Sequence, residues 1–523
     1  MKKITEKLTA WLRGERVTGS TICALVIGVI IAFNAIVYAF AVKYDLYLAY
    51  DKEDDLTISS ASEVLFADAI ERSGETGERV RIVFCRSRSQ FDPQSSTYVN
   101  DATSKFYITA KQFEEKYPEF IELAYVNLLT RRMAVGDSGK EELIDLTEIQ
   151  TQDGNGNYFP LYNSSVVFMS NKPGRTTRYI QDIAGAAFVL SSENSDTFSS
   201  YNGEEIIVSM ALWVIADEHK NAYVTTHHGE NPDVTLLNML TCAGYTIDIL
   251  DLRQAELVPD NADLVVISNP TKDFETSTGG MFSEIDKLGR YVDGGGNLYV
   301  ALDPYVQKLH VLEGFLDKYG IAFSEPEEQN DKKIIRHIVR DNDNAITVDG
   351  FTLVAEFADP DDEITRDATY FNGGKVIIKE SAALKITDNT IARPILVSSD
   401  SSALYEGDVR TESNGGYCIA ALSSFDTKNG EKSNIFVVPS VYITANDALE
   451  KKGYANRDFL YSVFDNVFGM SDVPYGCAPV YRRDAVLENL TMKMARTYTA
   501  IILTVPAVIA VGGAVLVIKR KNR

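Results

Sequence analysis

Between residues 221 and 304 short apolar runs alternate with amphipathic ones, and this alternation limits the possible folds more than any other feature of the chain. The runs at 222–226, 245–250, 263–268 and 297–301 read as strands, and each is followed by a turn. Helix-like segments lie between them at 233–243 and 281–293, the first closed by Gly244 and the second by Gly294, Gly295 and Gly296. Strand and helix patterns alternating at this spacing predict a parallel sheet with crossover helices. Such sheets take ligands beyond the carboxyl ends of their strands. The candidate ligand or partner contacts are therefore His227, His228 and Glu230 after the first strand, Asn269 after the third and Asp303 after the fourth.

Both ends of the chain point to a membrane. Residues 17–42 carry no charge, and 21–41 are almost wholly apolar; residues 497–518 are likewise uncharged. A helix of about 20 residues crosses the hydrocarbon layer, so both runs are long enough to span it. Pro506, Gly512 and Gly513 are compatible with a spanning helix. The outer flanks are basic: Lys2, Lys3, Lys7, Arg13 and Arg16 outnumber Glu6 and Glu15 at one end, and Lys519, Arg520, Lys521 and Arg523 close the other. Basic residues collect on the cytoplasmic side, which predicts two spans, both termini inside and the bulk of the chain on the external face. Lys493 and Arg496 dilute the asymmetry at the second span without reversing it. The competing reading of the first run is a cleaved signal peptide with the small-residue site Ala39, Phe40, Ala41; the apolar stretch exceeds a usual signal core, which favours a retained anchor.

The net charge is −23, and with both ends basic the interior is more acidic still. Such a surface repels phosphate backbones, so no nucleic-acid partner is expected. Five cysteines, Cys23, Cys85, Cys242, Cys418 and Cys477, are widely spaced and form no CxxC pair, far below the density of a disulfide-stapled scaffold.

The 523 residues call for two or three folded units. The expected order is a basic cytoplasmic tail (1–16), a first transmembrane helix (17–42), a linker (43–59), an N-terminal α/β domain (60–218) and the central parallel-sheet domain (219–323). An acidic insertion (324–412), return strands and a helix completing the central domain (413–470), a linker (471–496), the second transmembrane helix (497–518) and a basic tail (519–523) follow. Within the N-terminal domain, Ser60 with Glu63 reads as a capping box for a helix reaching Ile70. Residues 80–85 and 120–128 read as strands, 109–117 as a helix, and 166–169 with 177–180 as a hairpin. The helix at 204–218 places Ile207, Met210, Ala211 and Val214 on one face. Residues 306–319 read as a helix stopped by Gly320. Later elements are strands at 417–422 and 435–438 and a helix at 457–468. The charge run 51–55 reads as a solvated linker. Residues 153–157, 341–344 and 359–363 are rich in Asp and Asn, but lack the glycine and glutamate of a calcium loop and are read as surface turns.

No motif for nucleotide, metal or nucleophilic chemistry stands out. G-x-S-x-G, H-E-x-x-H and G-x-x-x-x-G-K are all missing from the sequence. A cysteine nucleophile belongs at the turn after a central strand, where this chain has Asn269 and Pro270; Cys242 instead lies near a helix carboxyl end, whose dipole disfavours a thiolate. Adjacent histidines seldom both face one ion, so His227, His228 and Glu230 fall short of a metal shell. No cofactor, no metal site and no catalytic residue is expected, and the ligand is left undefined.

A further expectation comes from Asp55, Leu56, Thr57, Ile58, Ser59 and Ser60 after the first span, the helix from Glu204 to Ile215 leading to His228, Gly229 and Glu230, and the strand 263–268 ending at Asn269 and Pro270. It continues in the glycines before the strand ending Leu302, Asp303, Pro304, in Asn456, Arg457, Asp458, Phe459 and Leu460, and in the closing span with its basic tail. In that order these pieces resemble the GldG-like family, the auxiliary, substrate-binding-like subunits of gliding-motility-type ABC transport systems. The likeness runs over nearly the whole chain, although 324–412 and 137–163 depart from it. It implies an external region with an amidotransferase/flavodoxin-like central domain, anchored in membrane lipid and working with a separate ABC permease and ATP-binding subunit. A membrane-tethered hydrolase using the strand-end crevice and a cell-surface envelope-binding or adhesion protein are the alternatives.

Overall fold

A computed structural model describes residues 58–91, 102–136, 140–150, 157–190, 198–276, 283–326, 336–372, 374–449, 451, 453–470, 473–477, 480–481 and 492–521. The first apolar run, the charge run 51–55 and residues 153–156 lie outside them. Asp54–Arg482 and Asn489–Arg523 form one compact unit; the other unit, Met1–Glu53 with Arg483–Glu488, falls outside the described residues.

The N-terminal region is a six-stranded sheet with two helices against it. Its strands are β1 (Val80–Phe84), β2 (Ile121–Asn127), β3 (Arg132–Val135), β4 (Glu141–Leu143), β5 (Val166–Ser170) and β6 (Arg178–Ile180), in the order β4-β3-β2-β1-β5-β6. β1 and β2 run parallel and β5–β6 is the expected hairpin. Helices α1 (Ala61–Thr76) and α2 (Ala102–Lys116) bring Phe66, Phe106 and Phe113 onto Phe84, Phe120 and Phe168, all buried. The expected capping box is not made: Ser60 has helical φ and ψ and its side chain caps nothing. Ser59 takes that role, its hydroxyl accepting from Ala61 N while its own amide and hydroxyl donate to Glu204. Glu63 pairs instead with Lys116, and α1 runs past Ile70 until Gly77 adopts φ 68°.

Helix α3 (Gly203–Ile215) follows the small strands β7 (Phe188–Leu190) and β8 (Phe198–Tyr201). It was expected to bury one face; every residue from Glu205 to Ile215 is buried, because it lies in the core shared by the two large sheets. Its buried Glu205 is held by Arg457 Nη1 at 2.7 and 2.6 Å and by the Tyr461 hydroxyl.

The central sheet begins with β9 (Asn221–Thr225), β10 (Thr246–Leu250), β11 (Leu264–Ser268) and β12 (Asn297–Ala301), all parallel, in the order β10-β9-β11-β12. The crossover helices are α4 (Val234–Cys242) and α5 (Glu284–Asp293), and α6 (His310–Lys318) follows β12. Leu264, Val266, Tyr299 and Ala301 join the core with α3 and α4, while Val265, Ile267, Leu298 and Val300 pack with α5 and α6. Cover on both faces explains the uninterrupted apolar run of β11.

Residues 324–412 are not a separate acidic excursion. After β13 (Ile321–Phe323) and β14 (Ile338–Arg340) come β15 (Thr352–Phe357), α7 (Glu363–Asn372), β16 (Val376–Lys379), β17 (Leu384–Ile386) and β18 (Ala392–Val397); β15, β16, β17 and β18 belong to the central sheet. β19 (Ala403–Glu406) and β20 (Val409–Glu412) pair beside β14. β21 (Cys418–Asp426) and β22 (Lys432–Val438) then complete an eleven-stranded sheet whose main path is β10-β9-β11-β12-β22-β21-β18-β15-β16. β22 returns parallel to β12, as expected, and antiparallel to β21, so one half of the sheet is parallel and the other antiparallel. Residues 359–361 form an exposed turn, whereas Asp341 is 1% exposed and accepts from Ser399, Ser401 and the amides of Asp343 and Asn344. A surface turn does not describe that residue.

The far edge strand β16 is closed by α8 (Asn456–Ser462), which a π-helical turn, Val463–Val467, prolongs. The Asn456 side chain accepts from Ile377 N at 2.9 Å and donates to Ile377 O at 2.7 Å, standing in for a further strand. The last helix, α9 (Met492–Lys521), has 30 residues, which at 1.5 Å per residue is about 45 Å. Its start docks on the Asp343 loop, Lys493 N at 3.0 Å from Asp343 O and Arg496 Nη1 at 3.1 Å from Asp343 Oδ1. Ile501, Ile502, Leu503 and Val508 on it are exposed. Among the described residues no helix is long and apolar enough to cross a membrane.

Candidate functional site

β9 has β10 on one side and β11 on the other, so the crevice between the ends of β9 and β11 is the topological switch point of the parallel half. The backbone there is forced into conformations that side chains rarely adopt: His227 has φ 79°, Gly229 φ 78° and Asn269 φ 54°. Gly229 is required twice over, since a Cβ would lie 2.0 Å from Thr271 Oγ1. The loop after β9 is tied to the loop after β11 by its carbonyl, His228 O accepting from Thr271 N and Lys272 N at 2.8 Å each.

The His228 ring enters the crevice and is 3% exposed. Nδ1 lies 2.8 Å from Glu230 Oε1 and Nε2 lies 3.0 Å from Glu284 Oε2. Phe274 stacks on the ring at 3.9 Å and 14°. Burial opposes the charge on His228, but the hydrogen bonds and charges of the two glutamates outweigh it and raise the imidazole above its ordinary value. The same balance, burial against the His228 bond, leaves Glu230 below the usual glutamate range. Both ring nitrogens thus face carboxylate oxygens, an arrangement that favours the protonated ring. Glu230 Oε2 also accepts from His228 N at 2.6 Å, and Glu284 Oε2 from Glu275 N at 2.7 Å. Glu284 Oε1 is buried without a partner among the described residues.

The candidate residues separate at this point. His228 and Glu230 meet, with Glu284 as a third member. His227, nearly half exposed, instead faces Asp251 at 3.2 Å at the end of β10. Asn269 extends the β11 ladder through its amide to Ala301 O at 2.8 Å, and its Oδ1 is buried with no partner among the described residues. Asp303 turns its own loop, accepting from Tyr305 N at 2.8 Å. Glu284 escaped the sequence reading because an acid in the first turn of a helix reads as a dipole partner; here it opens α5 behind the Ser283 and Asp286 capping box and turns inward.

Among the described residues no group of three or more His, Cys, Asp or Glu is arranged to hold a metal ion. Cys85, Cys242, Cys418 and Cys477 are free thiols, and burial pushes Cys85, Cys242 and Cys418 up to about 12, which leaves them un-ionised at neutral pH. A second constellation was not visible in the sequence: Ser324 Oγ lies 2.8 Å from His337 Nδ1, and His337 Nε2 lies 3.2 Å from Glu406 Oε1. Its members are separated by 13 and 69 positions, so no local motif announces it.

Fold and site together define a mixed α/β protein whose parallel half carries a closed, charged triad at its switch point. Neither a protein-family model nor a curated protein sequence matches the chain. Solved structures similar to it include the mmIFT52 N-terminal domain, with TM-score 0.35 and 17% identity over 47% of this chain and 97% of that one. PurLQS from Thermotoga maritima aligns with TM-score 0.30 and 11% identity over 48% of this chain and 100% of that one. A putative ThuA-like protein from Bacteroides uniformis aligns with TM-score 0.29 and 13% identity, covering 47% and 89%.

Proposed function

We propose that this chain is a membrane-anchored, extracytoplasmic auxiliary subunit of an ABC transporter, similar to the GldG-like family, with an amidotransferase/flavodoxin-like central sheet. It binds a ligand or couples to the permease and leaves ATP hydrolysis to a separate ATP-binding subunit. The observation that carries this reading is the His228, Glu230 and Glu284 triad. It bonds both imidazole nitrogens inward in the place where a parallel sheet holds ligands, which suits a rigid adaptor better than a reaction centre. The uncharged stretch 497–518 followed by the basic Lys519, Arg520, Lys521 and Arg523 supports the anchoring.

Val409, 67% exposed on β20, offers a test of placement. In cells carrying the full-length Val409→Cys variant, a membrane-impermeant maleimide is expected to label the new thiol before lysis, over the labelling of the unsubstituted protein under the same conditions. Mild-detergent purification is expected to bring down a permease and an ATP-binding subunit. Labelling only after lysis would overturn the external placement, and a reproducibly solitary protein would overturn the transporter assignment.

The membrane-tethered hydrolase gains support from a different place than the crevice. Ser324, His337 and Glu406 bring a hydroxyl, an imidazole and a carboxylate into line, with Nδ1 toward the serine and Nε2 toward the acid, the reverse of the usual serine-hydrolase order. Ser324 is 4% exposed and its own amide is bonded to Ala383 O. A fluorophosphonate probe that marks Ser324, and fails to mark Ser324→Ala, is the result this second reading requires.

A further inference from the structure

Near the end of α3 a stack of three side chains holds polar atoms without a hydrogen-bond partner among the described residues. The guanidinium carbon of Arg178, on β6, lies 4.6 Å from the centre of the Trp213 ring, and Trp213 stacks on His219 with 3.8 Å between centroids and 13° between planes. Arg178 Nη2 donates to Tyr245 O at 2.7 Å. Arg178 Nη1, Trp213 Nε1 and His219 Nδ1 are buried and have no hydrogen-bond partner among the described residues. Trp213 is 8% exposed, while Arg178 and His219 each keep some surface.

The charge around the stack is as one-sided as its hydrogen bonding. Burial pushes the Arg178 guanidinium down to about 10, and among the described residues the ionisable group favouring its charge is the Cys242 thiol, itself un-ionised at neutral pH. The nearby carboxylates go to a different guanidinium: Arg175 takes Glu78 at 2.9 and 3.2 Å and Asp217 at 2.8 Å. Burial, then Arg178 and Arg175, hold His219 below its ordinary value, so the imidazole is neutral at pH 7. Buried charges in proteins are ordinarily paired, because the lost hydration of an isolated one costs several kcal/mol, roughly, per ion. The carbonyl at the end of α3, Ala216 O, is already taken by Arg175 at 3.1 Å. Tyr245 O alone, worth at most about half a charge even if it carried a helix terminus, does not neutralise Arg178.

We propose that the Arg178, Trp213 and His219 stack binds one small oxyanion, a carboxylate or a phosphate, with Arg178 Nη1 as the charged donor and the indole and imidazole as neutral ones. The site belongs to the junction of the N-terminal sheet with β9, apart from the His228 crevice, and stands whether or not the transporter reading holds.

Trp213 and Trp11 are the two tryptophans of the chain, so Trp213 emission in a Trp11→Phe variant reads this site directly. The full-length variant in detergent is titrated with sodium phosphate and, separately, with sodium acetate, chloride making up constant ionic strength so that general screening does not change. The expected result is a saturating change in emission with at least one of the two anions, accompanied by a rise in melting temperature that follows the same concentration. The anion with the lower midpoint identifies the class. Arg178→Gln is expected to raise that midpoint at least tenfold. If that variant lacks a native circular dichroism spectrum, His219→Phe, which keeps the stack and removes Nδ1, is expected to raise it several-fold. A linear, non-saturating response to both anions overturns the proposal, as does a midpoint unchanged in the folded variants.

Discussion

His228 shows how one side chain can set the pH response of a fold. Its imidazolium is favoured in the native crevice, so its contribution to stability is fully present below the unfolded value of 6.5 and is lost as the pH rises through the higher folded value. Glu230 works in the opposite sense: its contribution is present above the unfolded value of 4.5 and is lost as the pH falls through the lower folded value. The triad therefore stabilises most between about 4.5 and 6.5 and weakens toward alkaline pH, the bounds being those unfolded values. Replacing His228 by Gln leaves two buried carboxylates without their cation, and removing one partner of a buried ion pair costs about 3 kcal/mol or more. Urea unfolding at pH 6 is expected to show that loss. As the pH is raised beyond 6.5 and through the higher folded value, the difference between wild type and His228→Gln is expected to shrink, and a difference constant with pH would contradict the charge favoured on the ring. The sequence placed His228 and Glu230 in one turn, because they are two positions apart. It did not place Glu284, 56 positions away, since nothing local distinguishes an inward acid from a capping one.

At the scale of elements, what the sequence made legible follows the depth of burial. β9, β11 and β12 are covered on both faces, so their apolar runs are continuous and their ends were placed to within a residue or so. The strands of 324–412 are short, and β15 alternates buried Leu353 and Ala355 with Val354 and Glu356, so acidic turns between them masked a part of the main sheet. α3 was legible as a helix and misjudged in its surroundings: periodicity reports one apolar face, whereas a helix in a core shared by two sheets needs none that is polar. The closure of β16 was also hidden, because it depends on one amide. Asn456→Ala removes both partners of the Ile377 backbone, and two unmet buried groups at about 1 to 3 kcal/mol each predict a loss of about 2 to 6 kcal/mol. Denaturant unfolding measures the loss, and light scattering is expected to show association through the newly bare strand edge. Asn456→Asp keeps the acceptor but turns a buried carboxylate oxygen toward Ile377 O, and is expected to lose at least as much as Asn456→Ala at neutral pH.

For the molecule as a whole, the order of strands in space differs from their order in the chain. β22 sits between β12 and β21 near the middle of the central sheet, yet it is supplied by Lys432–Val438, after more than four-fifths of the chain. Truncation at residue 430 is accordingly expected to yield insoluble or protease-sensitive product, and a soluble, protease-resistant fragment of that length would show that the parallel half folds without its keystone. During vectorial synthesis, β12 must wait with one hydrogen-bonding edge open while well over a hundred residues are still to arrive, and an open edge invites wrong pairing. A nascent chain of this design therefore depends on its surroundings for the interval before the late strand slots in, and the cell must shield a half-built sheet for as long as translation of the remainder takes.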